Sequence, residues 1–220
     1  MLKEPSLVFI GDRVEDGRVL TVATAGLLTG LSLIVPIGAQ NAHVLRQGIL
    51  RTYVGPVVTV CALSDVVLIV AGAAGVGVVV QDHAWLLEVA RWFGVAFLVW
   101  YALGAIARAR RSESLTVATG SADSRRRVVG RTMALTWLNP HVYLDTVLLL
   151  GTLAATHDSV GGGRWWFAAG AGLASIAWFT TVGFGARLLS PLLARPRSWQ
   201  VLELLVAATM LVVAGRLALG

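Results

Sequence analysis

The sequence contains few of the residues on which soluble enzymes depend. Only 14% of its 220 residues are charged, whereas a typical soluble domain has about 25%. Cysteine occurs once, as Cys61, which excludes an intrachain disulfide and a cysteine metal cluster. No serine–histidine pair, histidine–glutamate metal motif or phosphate-binding glycine loop stands out. The sequence therefore argues against an enzyme, and we expect no cofactor and no resident metal.

Lysine is also nearly absent. Lys3 is the only lysine, and arginine supplies the other basic side chains of a chain with a formal net charge of +6. These arginines are not interleaved with aromatic residues as in a nucleic-acid-binding surface, so we expect no nucleic-acid partner. In a membrane protein, an excess of basic residues first indicates orientation in the bilayer.

Apolar residues, in contrast, are abundant and fall in long runs. They make up 56% of the chain. A helix needs about 20 apolar residues to cross a hydrocarbon core of about 30 Å. We place six such runs at residues 19–42, 53–79, 84–107, 128–153, 165–188 and 199–219. The predicted fold class is therefore an all-α polytopic membrane protein with six transmembrane helices.

One connection is longer and more polar than the others. Residues 108–127 read RARRSESLTVATGSADSRRR, with arginine clusters at both ends. We therefore divide the chain into an exposed tail (1–18), a first three-helix half (19–107), this arginine-rich loop and a second three-helix half (128–220). Arginines concentrate in the odd-numbered loops, which predicts that these loops are cytoplasmic and that both termini lie outside. If the first or second run only dips into the bilayer, the N-terminus lies inside instead.

With six spans, the two halves cross the membrane in opposite directions, as inverted repeats do in many secondary transporters. Aligning Pro36 with Pro140 superposes spans one and four and places Asn41 on Asp145. Each proline leaves the carbonyl four residues earlier without its helical donor. A simple kink is one interpretation. Because amide side chains lie close to both prolines, we favour a helix break whose free backbone groups take part in a binding site.

Asp65 is the first carboxyl group that lies deep within an apolar run. It lies near the middle of the second run, where a charged aspartate costs about 2.5–3.5 kcal/mol on insertion scales. Asp65 therefore faces protein or water, pairs with a cation or is protonated. The alternative is that Asp65 has a purely structural role, as a protonated side chain that hydrogen-bonds a neighbouring backbone group.

A second carboxyl group lies in the fourth run. Asp145 follows His141 by four positions, so both side chains lie on one helix face. The pair could form a proton relay or a cation site, although a lone histidine is more often a satisfied core residue. Together with Asp65 and Asn41 they also offer mixed nitrogen and oxygen ligands, which leaves a divalent-metal exporter as the alternative function.

Three stretches of the chain resemble the lysine/arginine exporter (LysE/ArgO) family of bacterial inner-membrane transporters. They read GAQNAHVLRQGILR, SDVVLI and NPHVYLDTVLLLG, and the resemblance extends in order from residue 26 to residue 217. The family's usual first motif has proline where this chain has Ala39, whereas Pro36 lies just upstream here. The resemblance implies gradient-driven export of L-lysine or L-arginine from the cytoplasm, and it leaves assembly as a homodimer open.

Export of a cationic amino acid works against the inside-negative membrane potential, at about 2.3 kcal/mol per 100 mV. Exchange for one incoming proton cancels that charge movement, so we expect proton antiport. The expected substrate-binding residues are Gln40, Asn41, Asp65, Asn139 and Asp145. The expected proton-coupling residues are Asp65, Asp145 and His141, and the expected helix breaks are at Pro36 and Pro140.

Overall fold

The described part of the chain is helical. A computed structural model describes residues 5–36, 38–76, 84–110, 124–158, 161–189 and 196–219. These residues contain no strand and form eight helices, which we number in chain order: α1 (Pro5–Ile34), α2 (Ala39–Leu50), α3 (Val54–Ala73), α4 (Ala84–Arg110), α5 (Arg125–Trp137), α6 (residues 140–156), α7 (Gly163–Gly185) and α8 (Pro196–Leu219). The prediction of an all-α chain is therefore confirmed.

Helix α6 is not uniform. It begins as an α-helix (Pro140–Tyr143), widens into a π-helix (Leu144–Leu149) and ends as an α-helix (Leu150–Thr156). A π-helical segment within an α-helix is rare and frequently marks a functional site.

Several of these helices are long and apolar enough to cross a membrane. Within the described ranges, four apolar stretches qualify by length and composition: Gly17–Ile34, Val54–Ala73, Gly163–Leu188 and Gln200–Leu219. Helices α4 and α6 carry shorter apolar stretches, Arg91–Ala107 and His141–Thr156. The number of full spans therefore stays a prediction.

The ends of the predicted domains are described only in part. Helix α1 begins at Pro5, so residues that we assigned to the tail continue into the first apolar helix. Helix α4 ends at Arg110, and Ser124 caps α5 by accepting a hydrogen bond from the Arg127 amide. Residues 111–123, most of the predicted arginine-rich loop, lie outside the described residues.

The helices pack in two sets. Helix α1 packs against α7, and α3 packs against α5, α6 and α7, whereas α4 pairs with α8. Buried apolar residues such as Leu98, Val206 and Met210 fill the space between α4 and α8. The same cluster includes Ala39 and Leu135, so this pair meets the other helices near the start of α2 and the end of α5.

A very close contact fixes α6 against α3. A Cβ atom added to Gly151 would lie 2.7 Å from the Gly72 carbonyl oxygen, and one added to Gly72 would lie 2.7 Å from the Thr146 carbonyl oxygen. Small residues at such crossings let membrane helices approach closely. The contact places the π-helical segment of α6 directly beside α3.

Candidate functional site

A small cavity lies where the chain is interrupted between α1 and α2 and between α5 and α6. The first interruption falls between Ile34 and Ala39, and the second between Trp137 and Pro140. Helices α3 and α7 complete the wall of the cavity, whose volume is about 120 Å³. Its polar lining consists of Gln40, Asn41, Asp65, Asn139, Asp145, Thr146 and Ser175.

Asn41 holds the first interruption together. Its Nδ2 donates to the carbonyl oxygen of Ile34 at 2.7 Å and to that of Pro36 at 3.0 Å. Its Oδ1 accepts a hydrogen bond from Trp178 Nε1 of α7 at 3.2 Å. Carbonyl groups released at membrane depth need donors from the protein or from water, and here one side chain supplies them.

The second interruption is held in the same manner by other side chains. Asn139 Oδ1 accepts a hydrogen bond from the His141 amide at 3.2 Å, which caps the start of α6. The Tyr143 hydroxyl donates to the Trp137 carbonyl oxygen at 2.9 Å. Trp137 Nε1 donates to Ser64 Oγ of α3, also at 2.9 Å, and so ties the end of α5 to the neighbouring helix.

Asp65 enters the cavity from α3. Only 6% of its surface is exposed, and Ser175 Oγ of α7 donates to its Oδ2 at 2.8 Å. Among the described residues, no basic side chain forms an ion pair with Asp65. A buried carboxyl group with a hydroxyl donor and no cationic partner can take either a proton or a cationic ligand.

Asp145 approaches the cavity from the π-helical segment of α6. Its Oδ2 lies 2.8 Å from His141 Nδ1, one helical turn earlier, and 24% of its side chain is exposed. The two carboxyl groups therefore have different partners, a hydroxyl for Asp65 and an imidazole for Asp145. His141 can carry a proton at physiological pH, so this pair can hold and pass one.

The start of α2 offers donors to the same cavity. Its N-cap residue, Gly38, has no side chain to bond the first amides of the helix, and such amides favour an anion. The Gln40 side chain is buried next to Asp65 and Cys61, and its Nε2 makes no hydrogen bond of good geometry among the described residues. The uncapped first amides of α2 make this end of the cavity suited to a carboxylate.

The structure brings the predicted site residues together. Gln40, Asn41, Asp65, Asn139 and Asp145 all line one cavity, as does Pro36. His141 does not line the cavity, but its Nδ1 contacts Asp145, which does. The side chain of Pro140 lies outside the described residues.

Sequence reasoning missed the contributions of α7. Ser175 and Trp178 lie in an apolar helix, where one small hydroxyl and one indole give no recognisable motif. Each is identified only by its partner, Asp65 for Ser175 and Asn41 for Trp178.

The donor set does not favour the metal alternative. In the part of the chain that the structure describes, no three histidine, cysteine, aspartate or glutamate side chains lie close enough together to hold a metal ion. Asp65, Asp145 and His141 share the cavity region but do not form such a group.

Comparison with known proteins identifies the family of the chain. The profile of the LysE type translocator family matches residues 31–220. The arginine exporter protein ArgO of Yersinia enterocolitica is 42% identical over 90% of this chain and 97% of its own. The lysine exporter LysE of Corynebacterium diphtheriae is 36% identical over 90% of this chain and 99% of its own.

A protein of Mycobacterium tuberculosis (strain H37Rv), named provisionally as an amino-acid transporter, is 45% identical over 84% of this chain and 90% of its own. No solved structure matches the chain significantly. The family consists of multi-pass inner-membrane translocators and not of enzymes. This agrees with the predictions that the chain spans the membrane and that it is not an enzyme. With a family match over most of its length, the chain belongs to the LysE family of translocators.

Proposed function

We propose that this protein exports a basic amino acid, L-lysine or L-arginine, from the cytoplasm in exchange for a proton. The observation that carries the proposal is the shared cavity, in which two carboxyl groups face the uncapped start of α2. The names of two relatives, an arginine exporter and a lysine exporter, agree with the cationic substrate that such a cavity suits.

The two ends of the cavity match the two ends of the substrate. The substrate carboxylate binds at the start of α2, where the first backbone amides offer donors. The cationic groups of the substrate bind Asp65 and Asp145. Asn41 contributes mainly by holding the backbone of the first interruption, since both its Nδ2 and its Oδ1 already bond the protein, and Asn139 Oδ1 holds the start of α6 at the second.

Proton coupling uses the same carboxyl groups. A carboxyl that binds the substrate cation when ionised takes up a proton when the substrate has left, so the two ligands exclude each other. Asp65 is the exchange group, because no basic side chain of the described protein competes for it. The Asp145–His141 pair relays the proton.

We further propose that the chain forms six spans as a 3+3 inverted repeat, with halves 19–107 and 128–220 and with the breaks in spans one and four. Two helix pairings support this arrangement. Helix α3 packs against α7 and α4 against α8, and each pair joins helices at corresponding positions in the two halves. The two interruptions lie at one cavity, as expected where the repeats of a transporter meet.

Transport by the purified full chain in proteoliposomes tests the function, with pH gradient and potential set independently. We expect counterflow of labelled arginine or lysine. With the potential clamped to zero, a pH gradient should drive the amino acid toward the acidic compartment. Because one cationic amino acid exchanges for one proton, a potential alone at equal pH should drive no net movement. Divalent-cation transport without amino-acid counterflow would replace the proposal by the metal alternative.

A further inference from the structure

A second, larger cleft lies outside the site described above. Its volume is about 720 Å³, and it runs between α2 and α5 on one side and the α4–α8 pair on the other. None of the residues that line the small cavity lines this cleft. The proposed export mechanism does not use it.

The two arginines and the glutamate that line the cleft gather at one end. Arg46 lies four residues before the end of α2 at Leu50, Arg131 six residues after the start of α5, and Glu203 seven residues after the start of α8. These helix ends all adjoin the odd-numbered loops, which the arginine distribution predicts to be cytoplasmic. With this predicted orientation, the charged end of the cleft faces the cytoplasmic headgroups.

The deeper part of the cleft is mostly apolar. Phe97 and Trp100 line it and lie 13 and 10 residues before the arginine-rich end of α4 at Arg110, or about 20 and 15 Å along the helix. The other polar groups of the cleft, His43 and Tyr101, already interact within the protein, as do Arg131 and Glu203 at its charged end. A charged amino acid would lose its hydration there without gaining partners.

One wall of the cleft opens sideways. Trp100 is 70% exposed and Leu103 is 59% exposed, and both line the cleft. In a membrane protein, apolar side chains exposed at this depth face lipid chains. The cleft therefore has a cationic end at headgroup level and an apolar wall that is continuous with the hydrocarbon.

We propose that this cleft binds an anionic glycerophospholipid of the cytoplasmic leaflet. The lipid phosphate lies at Arg46 and Arg131, and an acyl chain lies along Phe97, Trp100 and Leu103. Basic pockets between membrane helices on the cytoplasmic side suit such headgroups. Two arginines and one glutamate give the cleft a formal charge of +1, which a single phosphodiester neutralises. The bound lipid thereby bridges the α4–α8 pair to α2 and α5.

Binding of lipid to the detergent-purified full chain tests the proposal, by native mass spectrometry and thermal stabilisation. The probes are phosphatidylglycerol, phosphatidylcholine with the same acyl chains, and soluble glycerol 3-phosphate. We expect phosphatidylglycerol to bind and stabilise far better than either of the others, because the site needs both the charge and the chain. Equal binding of phosphatidylglycerol and phosphatidylcholine, or saturation by glycerol 3-phosphate alone, would overturn it.

Variants locate the lipid in the cleft. Arg46→Gln and Arg131→Gln should each weaken phosphatidylglycerol binding about fivefold, whereas Arg187→Gln, at an exposed arginine outside the cleft, should not. Trp100→Ala should weaken binding and Trp92→Ala, on the same helix but outside the cleft, should leave it unchanged. Wild-type binding in Arg46→Gln and Trp100→Ala refutes the site even if Arg131→Gln fails to fold. Displacement of phosphatidylglycerol by lysine would also refute it and would indicate an amino-acid site.

Discussion

Replacing Asn41 by alanine removes the side chain that holds the first helix interruption together. Its Nδ2 donates to the carbonyl oxygens of Ile34 and Pro36, and its Oδ1 accepts from Trp178 Nε1. Alanine is a good helix former, so α2 itself should persist. The effect of Asn41→Ala should therefore come from the loss of three hydrogen bonds.

The size of this effect follows from the number of bonds and their place in the membrane. Hydrogen bonds between side chains in membrane proteins contribute about 0.6 kcal/mol each on average and at most about 1.7 kcal/mol. Three such bonds amount to about 2 kcal/mol. Because two carbonyl groups keep no donor after the substitution, we expect the free energy of unfolding to fall by at least this much.

Unfolding in mixed micelles measures the loss of stability. Trp178→Phe serves for comparison, because it removes one of the three hydrogen bonds of Asn41. It removes the indole donor to Asn41 and part of the packing of Trp178 against a buried apolar cluster, so its cost should be at least about 0.6 kcal/mol. In the double variant the two effects should be less than additive, since they share one bond. If Asn41→Ala unfolds like the wild type but no longer transports, Asn41 contacts the substrate instead of supporting the interruption.

Two further predictions concern α6. Gly151→Val should lower stability by about 1–3 kcal/mol, because its side chain would meet the Gly72 carbonyl oxygen. As a control in α5, Gly130→Ala meets no atom within 4 Å and should not lower stability, and its better helix propensity should raise it by up to about 1 kcal/mol in thermal unfolding. His141→Gln removes the proton carrier beside Asp145 and should slow pH-driven export about 100-fold while amino-acid counterflow persists. Equal losses of both transport modes would assign His141 to substrate binding.

The sequence indicated which polar residues line one cavity better than it indicated the contacts that each of them makes. Asp65 and Asp145 could be found because carboxyl groups are costly within apolar runs, and the amides could be found because they lie beside prolines. The cavity that collects them agrees with this reasoning. The partners of each group could not be found in this way, since they depend on how distant helices pack.

Asn41 shows this limit most clearly. The sequence predicts that Asn41 binds the substrate but gives no sign that its amide also bonds the protein backbone on the other side of the interruption, as it does in the structure. Ser175 gave no signal within the apolar helix α7, and the π-helical turn that presents Asp145 has no sequence signature. Such features arise from tertiary contacts, such as the close crossing of α3 and α6.

Counterflow of labelled arginine and lysine in proteoliposomes, measured for three aspartate-to-asparagine variants, tests the central claim most directly. Asp65→Asn and Asp145→Asn each remove a carboxyl group from the cavity. Asp158→Asn is the matched control, because Asp158 pairs with Arg164 in an exposed ion pair away from the cavity. We predict that the two cavity variants insert into the membrane and lose counterflow, while the control keeps it. Wild-type counterflow in either cavity variant would contradict a site in which both carboxyl groups bind the substrate.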